Sequence, residues 1–167
     1  FMPDSTDKKT KVDSFSISGA DHWYSLRHHR VRAINNPLAQ KTFVPGWLRA
    51  VGPGWIAWGV ESFMDEVAHA QNTDTIDFRL QLLDAKGKNA GDNSVSVGGA
   101  KRLAHVLQQT KIKSGWGKTL PKNEGLGVAI AAGQERTMPT WSACVAHVRV
   151  DPATGAVKVL KLTSVMD

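Results

Sequence analysis

The chain has 167 residues, of which 41% are hydrophobic and 22% charged, and its formal net charge is +6. This length corresponds to about one domain, and the composition is ordinary for a soluble globular protein. No stretch of the sequence approaches the roughly 20 apolar residues that a membrane span needs. The basic residues are scattered instead of forming a stripe with stacking aromatics, so no nucleic-acid interface is predicted.

The sequence offers few conventional catalytic or metal-binding residues. Cys144 is the single cysteine, which excludes an internal disulfide and a cysteine-ligated cluster or zinc site, and its apolar setting predicts a buried structural thiol. His28 and His29 would point to opposite faces as strand neighbours, while His105 and His147 lack an acidic or histidine partner at ligand spacing. No metal site is therefore predicted. Common hydrolase and nucleotide-binding motifs are also absent.

The first quarter of the chain shows little periodicity. Residues 1–16 are polar and predict an extended arm. Residues 17–43 mix short β-like pieces, notably 30–34, with a turn signal at 35–37, which predicts loop and edge strand. The chain begins at Phe1 with no signal segment, and we expect it to be trimmed, cleaved or one piece of a larger protein.

The clearest predicted element is a helix from about residue 58 to 70. Residues at i, i+3, i+4, i+7 and i+8 predict one buried stripe: Val60, Phe63, Met64, Val67 and Ala68. Glu61, Asp65 and Glu66 lie off this stripe. A solvated helix face explains these three acidic residues more simply than an acid/base pair does.

Two further helices are predicted before the pattern changes. Residues 73–83 form a helix with Asp74 as its N-cap and Asp77 in its first turn. Its packing residues are Ile76, Phe78, Leu80 and Leu83. Residues 86–97 are rich in Gly, Asn and Ser and predict an exposed loop. The next helix, near residues 98–113, carries Leu103, Val106 and Leu107.

The last third of the chain has the pattern of strands. Residues 126–132, 142–150 and 156–165 predict three strands, and residues 151–155 predict a hairpin loop in which Gly155 supplies a positive φ. Helices at about 57–113 followed by strands at about 126–165 indicate an α+β fold. The boundaries of this α+β segment are predicted at residues 17 and 167.

A glycine-rich turn, VPGWLRAVGPGWIAW at residues 44–58, precedes the first long helix. Gly52 and Gly54 lack a Cβ, so backbone N–H groups can approach a ligand closely, and Arg49 supplies a fixed fork of donors. An oxygen-rich anion suits such a cradle ahead of a helix. The alternative interpretation is an ordinary turn packed by aromatic side chains.

The run GWLRAVGPGWIAWGVESFMDEVAHAQNTDTIDFRLQLL resembles the molybdopterin-binding subunit of the xanthine dehydrogenase and aldehyde oxidase family. The similarity is to the branch that holds the isoquinoline oxidoreductase large subunit and the membrane-bound aldehyde dehydrogenases. That branch has a W-x-R-x-V-G turn, an ESF-x-DE-x-A helix and a D-x-x-x-F-R-x-x-LL helix. The segments GWGKTLP, GLGVAIA and CVAHVRVDPATGAVKVLKLTSVMD follow in the same order, so the resemblance covers roughly residues 17–167.

The resemblance implies part of a molybdenum hydroxylase. Such an enzyme oxidises aldehydes or hydroxylates N-heterocycles with water as the oxygen source. The implied cofactor is molybdopterin cytosine dinucleotide with molybdenum, shared with the rest of the large subunit. The implied partners are the remainder of that subunit, an iron–sulfur subunit that holds the clusters and, as a further candidate, a cytochrome c subunit. The implied location is the periplasm, with membrane association through a partner, and the bacterial cytoplasm is the second choice.

The resemblance also assigns residues by position. Arg49 and Gly52 would lie beside the cofactor, and Val51 would line the substrate pocket. Glu135 and Thr137, in the sequence GQERT, would lie near the substrate by the same resemblance, although an ordinary polar loop between strands is the favoured explanation for them. Relatives often have a glycine where this chain has Ala50.

The glutamate that serves as base in this family lies in a G-E motif, which this sequence lacks. No catalytic residue is therefore assigned within the chain, and it is not expected to be active alone. The alternative function is a non-catalytic assembly or anion-binding module. In that case Trp47, Trp55 and Trp58 would anchor an interface.

Overall fold

The computed structural model describes residues 17, 19–20, 22–34, 36–42, 49–90, 99–135 and 138–167. Within these residues the elements are α1 (Pro37–Thr42), α2 (Val51–Ala70), α3 (Thr75–Leu82), α4 (Gly99–Ser114), β1 (Glu124–Glu135), β2 (Met138–Val150) and β3 (Val157–Met166), with a 3₁₀ turn at Gly87–Ala90. The predicted α+β fold class is confirmed. The predicted arm at residues 1–16 lies outside the described residues.

The chain divides into two compact units. The first comprises Phe1–His22 and Leu26–Ser62, and the second comprises Trp23–Ser25 and Phe63–Asp167. The predicted division at residue 17 stays a prediction.

Helix α1 stands where the sequence predicted only loop and edge strand. The described residues from 30 to 34 contain no strand. The side-chain oxygen of Asn36 accepts hydrogen bonds from the N–H groups of Leu38 at 3.0 Å and Ala39 at 3.2 Å. Pro37 occupies the first helical position, where a missing N–H costs nothing. The predicted turn signal is therefore a helix N-cap.

Helix α2 begins earlier than predicted and buries a different face. Its buried line runs through Glu61, Met64 and Ala68, which are 6%, 5% and 0% exposed. The predicted burial of Phe63 is wrong, because this side chain is 63% exposed, and Glu61 does not lie on a solvated face. The i, i+3, i+7 spacing of the buried residues shows that the helix is rotated relative to the predicted stripe.

Helix α3 confirms the predicted cap and packing. Asp74 Oδ1 accepts hydrogen bonds from the N–H groups of Ile76 and Asp77, each at 3.0 Å. Two orphan donors of the first turn are thereby satisfied. Trp116 Nε1 donates to the other oxygen of Asp74 at 2.7 Å. Ile76, Phe78 and Leu83 are buried, as predicted.

A buried arginine joins α3 to the second half of α2. The Arg79 side chain is 0% exposed and donates to Asp65 Oδ1 at 2.8 Å. It also donates to the carbonyl oxygen of Thr75 at 3.1 Å and to the hydroxyl of the same residue. A buried guanidinium requires such partners, because its desolvation is costly. Asp65 is thus part of an ion pair and not simply a solvated surface carboxylate.

The three strands form an antiparallel sheet in the order β1-β2-β3. The loop between β2 and β3 confirms the predicted hairpin, with Gly155 at φ 71. The predicted polar loop at residues 133–137 is shorter than expected, because the register continues through Gly133↔Thr140 to Glu135↔Met138.

Helix α4 covers one face of the sheet, which we call the inner face. Leu103, Val106 and Leu107 are at most 2% exposed, and Trp141 and Val145 of β2 are at most 1% exposed. The predicted packing role of the three α4 residues is confirmed. The rings of Trp23 and Trp141 meet edge to face, with centroids 4.9 Å apart. Among the described residues, no acceptor binds the buried Trp141 indole N–H.

The predicted exposed loop at residues 86–97 is confirmed at Lys86, which is exposed, and is wrong at Asn89. Asn89, in the 3₁₀ turn, is 4% exposed, and its amide donates to the Ser25 hydroxyl at 3.2 Å. The polar side chain is buried because this distant hydroxyl satisfies it. The rest of the predicted loop, from residue 91, lies outside the described residues.

We predict that Arg79→Ala lowers the free energy of unfolding by about 3 kcal/mol, because it removes one partner of a buried charge network. Lys111→Ala is the control, since Lys111 pairs with Asp77 while both side chains are partly exposed, at 34% and 50%. An exposed pair of this kind contributes up to about 1 kcal/mol. Urea unfolding of the purified variants measures both values. Equal losses would contradict the structural role assigned to Arg79.

Candidate functional site

The candidate site is the turn that leads into α2. Arg49 and Ala50 form this turn and are both exposed, and α2 starts at Val51. Gly52 and Gly54, which the sequence analysis placed in a loop, therefore belong to the first helical turn. Pro53 is tolerated there because the first four N–H groups of a helix have no intrahelical acceptor.

Backbone donors are concentrated at this helix end. Gly54 N–H donates back to the Ala50 carbonyl at 3.3 Å, and Pro53 has no N–H. The N–H groups of Val51 and Gly52 precede the first full turn, where helix geometry directs them out of the N-terminus. Arg49 is adjacent in sequence. A guanidinium and helix N-terminal amides together suit an anionic, oxygen-rich group.

Close packing holds the start of α2 in place. Gly19, at φ 92, lies so near Pro53 that an added Cβ would be 3.0 Å from the Pro53 Cα atom. Only glycine allows both this conformation and this approach without displacement. The turn is therefore supported from the side by a segment distant in sequence.

Ala50 has φ 73, in the left-handed region. This is the position at which the resembled family often has glycine. An L-residue with a Cβ is strained in this conformation. Ala50 therefore adds local strain to this turn.

The predicted pocket residues are divided between the two compact units, with Arg49, Val51 and Gly52 in the first and Glu135 in the second. Arg49 is exposed, Gly52 is buried, and Val51 is the first residue of α2. Glu135 ends β1, paired with Met138 in the register. Thr137 lies outside the described residues. The roles of Arg49, Val51, Gly52, Glu135 and Thr137 stay predictions.

A second polar cluster was not predicted from the sequence. Glu124 Oε2 lies 2.7 Å from His147 Nε2, and Glu124 Oε1 accepts from Arg149 Nε at 2.9 Å. His147 therefore has the acidic partner that sequence spacing did not reveal. The register Glu124↔Arg149, set by strand pairing, brings these residues together. Alternation on β2, with His147 and Arg149 on one face, was the available signal.

The Glu124 carboxylate is almost fully buried, with 4% of its side chain exposed. The hydrogen bond from Arg149 lowers its pKa below the ordinary value of 4.5; desolvation opposes this shift, and the hydrogen bond with His147 adds to it. The glutamate is thus held as an anion by two basic side chains. We interpret this cluster as a clamp on the hairpin, because each oxygen of the carboxylate already has a partner.

The described residues contain no group of three or more His, Cys, Asp or Glu side chains that could hold a metal ion. Cys144 lies on β2 and is half-buried, so the prediction of a buried thiol was too strong. The His22 and His29 rings pack together with centroids 4.5 Å apart. Within the same residues, no helix combines the length and apolar character that crossing a membrane requires.

Comparison with known proteins supports a dehydrogenase relationship. No family model matches the chain. A curated dehydrogenase is 54% identical to the chain over 168 residues, which is all of this chain and 22% of the relative. That relative is the membrane-bound aldehyde dehydrogenase (pyrroloquinoline-quinone) of Gluconacetobacter polyoxogenes. The predicted resemblance to this branch is confirmed, and the chain spans about a fifth of the relative's length.

The predicted cofactors are contradicted. The relative is named for pyrroloquinoline quinone, which conflicts with molybdopterin cytosine dinucleotide and molybdenum. The residues that suggested the pterin do not discriminate between these groups. An arginine beside helix N-terminal amides binds oxygen anions in general, whether they are phosphates or carboxylates.

We predict that Ala50→Gly raises the free energy of unfolding by up to about 1 kcal/mol, because relief of left-handed strain exceeds the entropy cost of glycine. Ala57→Gly, within α2, is the matched control and should lower stability by about 1 kcal/mol. Thermal or urea unfolding provides the comparison. A loss of stability in both variants would show that position 50 is not strained.

We predict that Glu124→Gln flattens the pH dependence of stability below pH 4.5, the ordinary pKa of this side chain. The pKa of Glu124 is lowered in the folded state, so its carboxylate stabilises the fold above the ordinary value of 4.5. This contribution is lost as the pH falls through the lower folded pKa. Unfolding midpoints across this range measure the effect. An unchanged slope in the variant would contradict the assignment.

Proposed function

We propose that the chain is a segment of an aldehyde dehydrogenase that works only as part of a longer polypeptide. The identity of 54% along the whole chain to the membrane-bound enzyme is the observation that supports this proposal. The chain covers 22% of that enzyme, so the remaining pocket residues would come from other parts of the protein. The absence of the expected G-E glutamate from this sequence agrees with this division.

The proposed reaction oxidises an aldehyde and water to a carboxylic acid, two protons and two electrons. The relative's name supports an aldehyde as substrate. We propose that the electrons pass to a partner subunit, for which a cytochrome c subunit is the candidate. Membrane association would come through that partner on the periplasmic side. The relative is named as membrane-bound, whereas no membrane-spanning helix is found among the residues described here.

Within this enzyme, the proposed role of Arg49 and the first turn of α2 is to bind an anionic part of the redox cofactor. The donor set fits pyrroloquinoline quinone, whose carboxylates match a guanidinium and the N–H groups of Val51 and Gly52. When bound, such a quinone supplies a two-electron acceptor. Arg49 would orient it, and the packing of Gly19 on Pro53 would keep the helix end in place.

We predict that Arg49→Ala in the full-length enzyme weakens quinone binding roughly 10- to 100-fold, since hydrogen bonds to charged groups contribute about 1.5–3 kcal/mol. Arg49→Lys keeps the charge but loses the fork geometry, so an intermediate value is expected. Titration of the quinone-depleted enzyme measures affinity, and aldehyde-dependent dye reduction measures turnover. Arg32→Ala, an exposed arginine before α1, is the control. Unchanged affinity and turnover in Arg49→Ala would overturn this role.

An assembly module is the second candidate function, because two tryptophans of α2 are exposed. Trp55 is 51% exposed and Trp58 is 76% exposed, although large aromatics are normally buried or used at interfaces. The same Arg49→Ala variant separates the two functions. Loss of turnover with association retained supports cofactor binding, whereas loss of association alone supports an interface role.

A further inference from the structure

The face of the sheet opposite α4, which we call the outer face, has an unusual composition. Register pairs such as Ala129↔Cys144 and Ala146↔Leu162 place its members on one side. From β1, this face receives only glycine and alanine at alternate positions from 125 to 133. From β2 it receives small or apolar residues together with two hydroxyl residues, Thr140 and Ser142. Apart from Glu135 at the end of β1, no charged residue alternates onto this face from the three described strands.

Strand β3 supplies the large side chains of the outer face. Val157, Val159, Leu162 and Met166 are 64%, 56%, 62% and 68% exposed. Their register partners on β2 are also on the outer face, because the bulge beside His147 shifts the alternation of β3 at that point. The result is a largely apolar surface whose side chains are small over β1 and large over β3.

The charged side chains of β3 alternate onto the opposite side of the strand from its large apolar residues. Lys158 and Lys161 are exposed, and their partners Arg149 and His147 lie with the inner-face set. A strand with both faces in water would not separate charged from apolar residues in this way. Soluble monomers rarely expose apolar patches of more than a few hundred Å².

We infer that the outer face is an internal interface, covered by an uncharged apolar surface from the remainder of a longer polypeptide. This inference rests on the proposal that the chain is a segment of a dehydrogenase. The occupant is argued from length, since the chain accounts for 22% of the relative it matches throughout. The difference in side-chain size between β1 and β3 defines the covering surface further. That surface is expected to place bulky side chains over the glycines and alanines of β1 and small side chains over β3.

Oxidative footprinting of the full-length protein tests the coverage without any substitution. Met166 is expected to oxidise at least about tenfold more slowly in the folded protein than in the urea-unfolded protein, because oxidation follows exposure. Lys158 and Lys161 should remain open to acetylation in the same sample. Met64, which is 5% exposed within this chain, reports that the protein is folded. Rapid oxidation of Met166 in a folded sample would overturn the inference.

Repeating the Met166 oxidation measurement at several protein concentrations shows whether the outer face is covered by the same polypeptide or by a second copy. Protection by the same polypeptide is independent of concentration, whereas protection that disappears on dilution, together with a dimer in sedimentation, would identify a second copy and overturn the inference. These readouts do not depend on turnover. A protected Met166 in a protein that oxidises no aldehyde would overturn the proposed function alone.

Matched substitutions provide an independent test in the full-length protein. Val159→Asp places a carboxylate on the outer face, and a large loss of folded protein is expected. Lys158→Asp, the neighbouring position directed to the other side, is expected to have no such effect. Equal yields of the two variants would overturn the inference.

Discussion

The packing of α4 on one face of a three-stranded sheet is the constraint on which the larger unit depends. Leu103, Val106 and Leu107 are buried with Trp141 and Val145, and these side chains form the core. One helix cannot cover both faces of a sheet. The same packing that builds the core therefore leaves the other face of the sheet without a covering layer from this unit.

Polar groups add specificity to this apolar framework. The buried guanidinium of Arg79 donates to Asp65 and Thr75, and Glu124 is held ionised between His147 and Arg149. Both clusters join segments that are distant in sequence. The carboxylates of Asp65 and Glu124 resemble candidate catalytic groups. Because each one is paired with a basic side chain, we assign both a structural role. Carboxylates beside basic residues are thus poor indicators of acid/base chemistry without the geometry.

The turn before α2 combines a functional pattern with local strain. We propose that Arg49 and the first N–H groups of the helix bind an oxygen anion, and Ala50 adopts a left-handed conformation without the glycine that would favour it. The chemistry of such a turn selects oxygen anions as a class. This is why the motif pointed to a cofactor contact, and also why it could not distinguish a pterin phosphate from a quinone carboxylate.

The sequence by itself determined the α+β order, the cap at Asp74, the hairpin at Gly155 and the resemblance to an aldehyde dehydrogenase branch. These features depend on residues within a few positions of each other, or on ordered motifs that are read directly. The Asn36 cap is equally local, and its signal was misread as a turn. Only the tertiary structure decided that Phe63 is exposed and Glu61 buried, and that Glu124 meets His147. Helix rotation and strand register depend on contacts between distant residues, which local periodicity does not contain.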